Sequence, residues 1–560
     1  MNWGVNRPVT TPFFIEAEHL KYAYRKAGNN PVLKEVGLFI KPDEYLLVCG
    51  ASGSGKSTLC RTFNALIPHF YGGSFQGEVR VAGVSTGKQS IVDLFSQVGM
   101  IFQNPEAQLF NRTVEGEIVF GLESLGLSKS EIRRRTSATV EMIGIEALMP
   151  KNPQALSGGE QQLVCIAAIM ALKPQVIVLD EPYANLDPAR VETVRAALGK
   201  VHQSGRGVII CEHRLPLTVA DVQRIVVLHD GRIVLDDLPG KIFGQDLKQF
   251  GLELPLAVNI GRRLKLSKIP LDVKELENRF SSNDIPPDLF PAEPAPPASG
   301  ACRVLEVERV SFELGDRLLL RDINFSLKQG ESLALVGANG AGKTTLLKHL
   351  NGLYRPTEGL IRVIGHKTSE HKVSQLARFV GVAFQNPNSQ FFKLTVWDEI
   401  IVGARVLDCY DESWIRELVS LFRLEPLLKR APYRLSEGEK KRVAFAAALS
   451  AKPAILALDE PTAGQDMFFR LALGRLLANL RSRGQAILLV TQDLAFAEQH
   501  AHRWLMMAEG KIVADGSPRE VMADTAAMKS AGLRPTDSFQ LYRLMNRRKK
   551  KVRENFQPSV

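Results

Sequence analysis

The residues with the clearest chemistry form a glycine-rich stretch that follows a short apolar run at residues 46–49. The spacing G-x-x-x-x-G-K-[ST] is filled by Gly50, Gly55, Lys56 and Ser57. Glycines let backbone N–H groups curve around a polyphosphate, and the positive end of the helix that opens at Lys56 adds to the attraction. The lysine can reach phosphate oxygens, and the serine hydroxyl can ligate Mg²⁺. The predicted loop comprises Gly50, Ala51, Ser52, Gly53, Ser54, Gly55, Lys56, Ser57 and Thr58.

The same stretch recurs later in the chain, so the sequence contains an internal repeat. Lys343 lies 287 residues after Lys56 (343 − 56 = 287). We therefore interpret the chain as two copies of one nucleotide-binding unit. The second predicted loop comprises Gly337, Ala338, Asn339, Gly340, Ala341, Gly342, Lys343, Thr344 and Thr345.

Polar residues that end apolar runs supply the other candidate groups of the first copy. Asp180 ends a buried strand and suits a contact to Mg²⁺, whereas the adjacent Glu181 suits polarising a water molecule. Two acids in this position are rarely structural, because burying charge without a partner is costly. Gln103 ends another apolar run, where its side chain can sense Mg²⁺ or the attacking water, and His213 ends a third.

Further residues suit the binding of the rest of a nucleotide. Ser157-Gly158-Gly159 opens an apolar helix, where the serine can be the N-cap and the open amides can meet an anion. Tyr22 and Tyr24 alternate on a predicted strand, and Tyr24 is the candidate for stacking on an adenine base.

These motifs, in this order, resemble the ATP-binding cassette of ABC transporters. The second half matches it with Gln385, Asp459, Glu460 and a helix opened by Ser436 and Gly438. The resemblance covers about residues 13–245 and 303–525. It implies an α/β fold of two tandem P-loop NTPase domains, each with a RecA-like core, an antiparallel β subdomain and a helical subdomain. It also implies ATP and Mg²⁺ as ligands, with Ser57, Gln103 and Asp180 near the metal in one copy and Thr344, Gln385 and Asp459 in the other.

A narrower resemblance comes from the Q-N-P-x-x-Q segments at residues 103–108 and 385–390, with Ile67-Pro68-His69 upstream. These segments are similar to the ATPases of energy-coupling factor importers for vitamins and cobalt. The chain looks like both ATPases of such an importer fused in tandem.

In that family the two cassettes pack head to tail, so each ATP lies between one phosphate loop and the opposite signature helix. The resemblance implies site one from Lys56, Ser57, Gln103, Asp180, Glu181 and His213 with Ser436 and Gly438. It implies site two from Lys343, Thr344, Gln385, Asp459, Glu460 and Gln492 with Ser157 and Gly159.

Two departures from the family pattern fall in the second cassette. Gln492 stands where the family has its switch histidine, and glutamine cannot carry a positive charge. Leu314 stands where the first half has Tyr24, with Phe312 as a possible substitute. We therefore predict that site two is weakened but not inactive, since it keeps both acids.

Composition and the remaining segments complete the prediction. The 560 residues are 45% apolar and 23% charged, as in ordinary globular proteins, and carry a net charge of +11. No signal peptide or spanning apolar run is found, and six cysteines without C-x-x-C spacing favour a reducing, cytoplasmic compartment. The predicted organisation is an N-terminal extension (1–12), cassette one (13–245), a helical appendage (246–280), a proline-rich linker (281–302), cassette two (303–530) and a basic tail (531–560).

The leading interpretation is an ATPase that energises an importer from the cytoplasmic face of the membrane, with separate membrane-embedded subunits as partners. The family contact surface would include residues 104–125 and 386–406, with Glu115, Glu117 and Glu399 as candidate contacts. The basic run at residues 547–553 can meet anionic lipid or nucleic acid, or be a solvated tail. Two alternatives remain: a tandem-cassette ATPase that acts on ribosomes or nucleic acid, and the fused ATPase of a sugar importer. The short proline-rich linker disfavours the first, and the Q-N-P-x-x-Q segments disfavour the second.

Overall fold

A computed structural model describes residues 12–25, 30–184, 186–278 and 294–555, with side chains up to residue 546. The chain forms two compact units that divide near residue 276. The predicted N-terminal extension and most of the proline-rich linker lie outside the described residues. Among the helices in the described part, none is both long and apolar enough to span a membrane.

The first unit contains one antiparallel and one mixed sheet. The order is β2-β1-β4-β5 in the former and β10-β9-β3-β8-β7-β6 in the latter, where only the edge strand β10 is antiparallel. The strands are β1 (Ile15–Ala23), β2 (Leu33–Ile40), β3 (Tyr45–Cys49), β4 (Ser74–Val81), β5 (Val84–Ser85), β6 (Val98–Ile101), β7 (Val176–Asp180), β8 (Gly207–Glu212), β9 (Arg224–His229) and β10 (Arg232–Asp237).

The central strands β3, β7 and β8 are buried along their whole length, as expected for parallel strands covered on both faces. The carboxyl ends of these strands deliver Gly50, Glu181 and His213 to the same edge of the sheet. The helices of this unit are α1 (Lys56–Phe63), α2 (Ile91–Phe95), α3 (Val114–Ser124), α4 (Lys129–Ile143), α5 (Gly158–Ala171), α6 (Pro188–Gln203), α7 (Pro239–Ile242), α8 (Leu256–Arg263) and α9 (Val273–Glu277). Helices α3, α4 and α5 pack on one another and form the helical part.

The second unit repeats this architecture, with sheet orders β12-β11-β14-β15 and β16-β17-β18-β13-β19-β20. Its strands are β11 (Arg303–Leu314), β12 (Arg317–Lys328), β13 (Ser332–Val336), β14 (Glu358–Val363), β15 (His366–Lys367), β16 (Val380–Ala383), β17 (Ile455–Asp459), β18 (Ala486–Thr491), β19 (Arg503–Ala508) and β20 (Lys511–Gly516). Its helices are α10 (Lys343–Leu350), α11 (Val373–Leu376), α12 (Val396–Val406), α13 (Glu412–Leu421), α14 (Glu437–Ser450), α15 (Met467–Ser482), α16 (Leu494–His500), α17 (Pro518–Ala523), α18 (Thr525–Ser530) and α19 (Asp537–Asn555). The predicted fold class is therefore confirmed.

The cores extend beyond the boundaries predicted for the two cassettes. Leu247, Leu254 and Val258 join the core of the first unit, because the short helices after residue 245 place apolar side chains on one side. Phe539 at the start of α19 joins the core of the second unit. The predicted basic tail thus begins as a packed helix, and the side chains of its basic run at 547–553 lie outside the described residues.

Candidate functional site

The first phosphate loop is packed closely against its own sheet. A Cβ added at Gly50 would lie 2.1 Å from the carbonyl oxygen of Leu228 on β9, so only glycine fits there. The side chain of Lys56 is buried, and its Nζ donates to the carbonyl oxygens of Gly50 at 2.8 Å and Ala51 at 2.9 Å. The ammonium group therefore lies across the loop, where it can exchange these carbonyls for phosphate oxygens.

The second phosphate loop repeats this geometry. Lys343 Nζ donates to the carbonyl oxygens of Gly337 at 2.7 Å and Ala338 at 2.8 Å. The N–H of Ala338 also donates to the carbonyl of Ala531, 3.2 Å away, so the segment before α19 supports this loop.

A hydroxyl–carboxylate pair follows each phosphate loop. Ser57 Oγ donates to Asp180 Oδ1 at 2.8 Å, and Thr344 Oγ1 donates to Asp459 Oδ2 at 2.8 Å. Burial raises the pKa of both aspartates, and the hydroxyl hydrogen bonds oppose that rise. Such oxygen ligands are those that Mg²⁺ prefers, and a cation would relieve the desolvation of the carboxylates. The pairs therefore fit a magnesium ion.

Glu181 is held between two side chains of the first unit. Gln103 Nε2 donates to one carboxylate oxygen at 2.7 Å, and His213 Nδ1 lies 3.2 Å from the other. The backbone of Glu181 is left-handed, with φ 49°, which is uncommon for a non-glycine residue and frequent at functional sites. Burial opposes ionisation, but the contact with His213 outweighs it and places the pKa of Glu181 below its ordinary value. The carboxylate is therefore ionised and aimed by two partners.

Glu460 has the same backbone conformation, with φ 47°, but different partners. Its Oε2 accepts from Thr491 Oγ1 and from the Gln492 N–H, each at 3.2 Å, and its Oε1 is buried without a partner among the described residues. Burial raises the pKa of Glu460 to about 7. The Gln492 side chain instead donates to Asn339 in the phosphate loop. The exposed Gln385 makes no described hydrogen bond to Glu460.

The aromatic residues near the phosphate loops also differ between the units. Tyr24 Oη lies 3.1 Å from Thr58 Oγ1 and accepts from Arg61, which places the tyrosine beside α1. Leu314, at the corresponding position, is 55% exposed, whereas Phe312 is 7% exposed and stacks on Tyr354 at 5.1 Å. Phe312 thus belongs to the core of the second unit, and base stacking by Tyr24 remains a prediction.

Both signature serines act as N-caps within their own units. Ser157 and Glu160 form a capping box at the start of α5, and Ser436 and Glu439 form one at the start of α14. Gly159 lies close to Arg190, because an added Cβ would meet that side chain at 2.8 Å. The role of these residues toward the opposite phosphate loop stays a prediction.

Two of the glutamates expected on the contact surface are internal instead. Glu117 is 7% exposed, and its Oε2 accepts from the N–H groups of Phe110 and Asn111 at 3.1 and 2.8 Å. Glu399 repeats this with the N–H groups of Phe392 and Lys393, at 3.0 and 2.8 Å. Their assignment as contact residues was wrong, because each caps the loop before its own helix. Of the three, only Glu115 is exposed.

The loops capped by these glutamates present apolar side chains to the surface. Phe110 is exposed and contacts Phe120 edge to face, with ring centroids 4.9 Å apart. In the second unit Phe392 and Leu394 are exposed at the corresponding place. The sequence analysis did not single out these residues, although apolar side chains in an otherwise polar loop would have indicated them.

Comparison with known proteins identifies the family of this chain. The ABC transporter family matches residues 33–184 and 320–463. A putative ABC transporter ATP-binding protein of Methanosarcina acetivorans is 35% identical over 93% of this chain and 88% of its own length. One from Methanosarcina mazei is 32% identical over 95% of this chain and 93% of its own. The chain belongs to the ABC transporter family, as an ATP-binding protein with two tandem cassettes.

A solved structure also matches across both units. The archaeal ribosome recycling factor aABCE1, solved in complex with the ribosomal stalk protein aP1, gives a TM-score of 0.58. The match covers 91% of this chain and 92% of that one, at 20% identity. At this identity the likeness shows the fold alone.

Proposed function

We propose that this chain is the ATP-hydrolysing, energy-coupling subunit of an importer that has separate membrane-embedded subunits. The observation that carries the proposal is the repeated Q-N-P-x-x-Q segment, which connects the nucleotide residues to an apolar surface in each unit. Its first glutamine in the first unit, Gln103, binds Glu181. Its last, Gln108, donates to the carbonyl of Met100 at 3.3 Å and accepts from the Phe102 N–H at 3.2 Å.

The segment therefore joins two places that transport must couple. Asn104 and Asn386 cap the short turns that follow, and the chain then reaches exposed Phe110 or Phe392 within a few residues. If ATP binding changes the partners of Glu181, Gln103 moves, and the short hydrogen-bonded segment transmits that movement to the apolar surface. We propose that cytoplasmic segments of the membrane subunits dock there, which places the chain at the cytoplasmic face of the membrane.

The residues of the first unit have distinct roles in ATP hydrolysis. Lys56 and the loop amides bind the phosphates, and Mg²⁺ held by Ser57 and Asp180 would neutralise charge on them. Glu181 accepts a hydrogen bond from the attacking water, and His213 orients that carboxylate and contacts the terminal phosphate.

Affinity purification of the full chain from detergent-solubilised membranes tests the proposal. We expect membrane proteins to co-purify in a stoichiometric complex whose ATP turnover changes with transported substrate. Replacing Phe110 and Phe392 by serine should release the membrane proteins while leaving ATP binding intact. Recovery of the chain with ribosomes in a sucrose gradient, and without membrane proteins, would contradict the importer and favour the ribosomal alternative.

A further inference from the structure

The short turn after each strand-end glutamate is held by one cationic side chain, and the two units take that cation from different elements. In the first unit, Arg214 Nη2 donates to the carbonyl of Tyr183 at 2.9 Å. In the second, Lys441 Nζ donates to the carbonyl of Ala463 at 2.6 Å and lies 3.5 Å from the carbonyl oxygen of Glu460. The same backbone hydrogen bond closes both turns. The Ala184 N–H donates to the Glu181 carbonyl at 3.1 Å, and the Ala463 N–H donates to the Glu460 carbonyl at 3.3 Å.

The two cations come from positions that do not correspond between the repeats. An offset of 279 residues pairs Lys441 with Gln162 (441 − 162 = 279) and Asp493 with Arg214 (493 − 214 = 279). Gln162 is buried, and its amide nitrogen has no partner within the described residues. Asp493 accepts from Thr462 Oγ1 at 2.9 Å and from Arg470. The second unit therefore has no arginine after its switch position, and α14 supplies a lysine instead.

We propose that Lys441 is a positioning residue of the second nucleotide site, which fixes the turn at residues 460–463 and thereby the carboxylate of Glu460. The inference rests on the proposed function, in which Glu460 acts on the attacking water. Glu460 needs this support more than Glu181 does, because its side chain is bound neither by a histidine nor by the glutamine of the Q-N-P-x-x-Q segment in the described structure. Its direction is then set by its backbone and by the two hydrogen bonds from Thr491 and the Gln492 N–H.

The chemistry of Lys441 suits this task. An ammonium donor makes a stronger hydrogen bond to a carbonyl than a neutral donor does, especially where water is largely excluded. Burial lowers the pKa of Lys441 to about 8, with Glu460 and Glu437 acting in the opposite direction, so the side chain is mostly charged at pH 7. Glutamine in its place, as in the first unit, would lose both the charge and the reach.

Hydrogen exchange of the full chain tests the local part of the proposal. Lys441→Gln should raise exchange of the amides at 462–464 by at least about tenfold, the effect of losing one charge-assisted hydrogen bond. Lys441→Arg should restore most of the protection. The matched control is Lys452→Gln just past the other end of α14, where Lys452 pairs with exposed Asp411 at 2.7 Å. Unchanged exchange at 462–464, or faster exchange along the whole of α14, would overturn the proposal.

Steady-state ATP turnover tests the functional part. In a Glu181→Gln chain, Lys441→Gln should lower the remaining turnover about tenfold with little change in KM. In a Glu460→Gln chain the same substitution should have no further effect, because the group that it positions is already absent. An equal loss in both chains would make Lys441 merely structural. If the Glu181→Gln chain turns over no faster than the double Glu181→Gln Glu460→Gln chain, the second site does not hydrolyse ATP. The proposed action of Glu460 on water is then wrong, whereas the hydrogen-exchange result still decides whether Lys441 positions the turn.

Discussion

Glu181 and Glu460 show how the same residue in the same fold acquires different chemistry from its neighbours. Both end a buried strand with a left-handed backbone, yet only Glu181 meets a histidine and a glutamine side chain. Glu460 is turned toward Thr491 and Gln492, at the end of the neighbouring strand β18. A carboxylate that must reorient and ionise before it can polarise water contributes less to the rate.

We therefore expect the two glutamates to contribute unequally to turnover. Glu181→Gln should nearly abolish phosphate release while leaving ATP binding, whereas Glu460→Gln should leave a substantial fraction. Gln492→His should raise the rate, since losing one positioned donor at a charged transition state typically costs about 10²–10³. The measurement is steady-state phosphate release, made on each variant and on wild type in the proposed complex with membrane subunits. Equal losses from the two glutamate substitutions would contradict the asymmetry.

The raised pKa of Glu460 predicts a pH-dependent effect on stability. An acid whose pKa rises from 4.5 unfolded to about 7 folded holds its proton longer in the native state. Ionised Glu460 therefore lowers the free energy of unfolding increasingly as the pH rises between these values. The decrease is complete above pH 7, at about 3 kcal/mol. Glu460→Gln should raise the calorimetric unfolding midpoint of the nucleotide-free chain at pH 8 and have little effect at pH 4.5. Glu181→Gln is the control and should not stabilise at pH 8, because the pKa of Glu181 is lowered.

The sequence motifs predicted correctly that some of their own residues are neighbours. They did not predict contacts that depend on side-chain packing. Ser57 meets Asp180 because phosphate loop and strand end are set by spacing and by the parallel sheet. The contact of Lys441 with Ala463 depends on a side chain that crosses from a helix to a turn, and no motif records that. The different partners of Glu460 were only partly visible, through the histidine that Gln492 replaces.

At the scale of elements, the loops before α3 and α12 owe their shape to a buried carboxylate. Glu117 and Glu399 each accept two backbone N–H groups, which would otherwise be unsatisfied under the apolar surface. The sequence of α3 could not show that one of its two early acids faces inward. The neighbouring Glu115 faces solvent at the same helix start.

This difference yields a prediction with an internal control. Glu117→Gln should loosen the loop that carries Phe110 and so lower both thermal stability and transport, because one side-chain oxygen replaces a charged acceptor. Glu115→Gln should leave stability unchanged and lower transport alone, because Glu115 is exposed. Unfolding midpoints and uptake measured on both variants decide this. Unaltered stability of Glu117→Gln would contradict the capping role.

At the scale of the whole chain, the C-terminal region has two parts with different roles. The start of α19 packs on the second unit through Phe539, and Leu541 is also buried, so it belongs to the fold. The basic run from Arg547 to Arg553 follows it. Sequence composition predicted the charge of this region but not its division, because its few apolar residues are outnumbered by charged ones.

Deletion of residues 547–560 should therefore keep ATP turnover and weaken binding to anionic vesicles. We expect the difference from the full chain to shrink as salt rises, because the screening length falls from about 10 Å at 0.1 M to about 3 Å at 1 M. Co-sedimentation with phosphatidylserine vesicles measures it, with neutral vesicles as the control. Equal binding of the two chains at low salt would reject membrane attraction by this run.

The hydrogen bond from the Ala338 N–H to the Ala531 carbonyl connects the second phosphate loop to a segment that lies far along the sequence. A ribosome must have synthesised the chain as far as residue 531 before the second phosphate loop can acquire this support. A product that stops before residue 531 would contain both lysines and the residues of every strand, but it would lack this hydrogen bond and the core contact of Phe539. We expect such a product to retain ATP poorly in the second cassette, so that weak nucleotide retention distinguishes it from the longer chain.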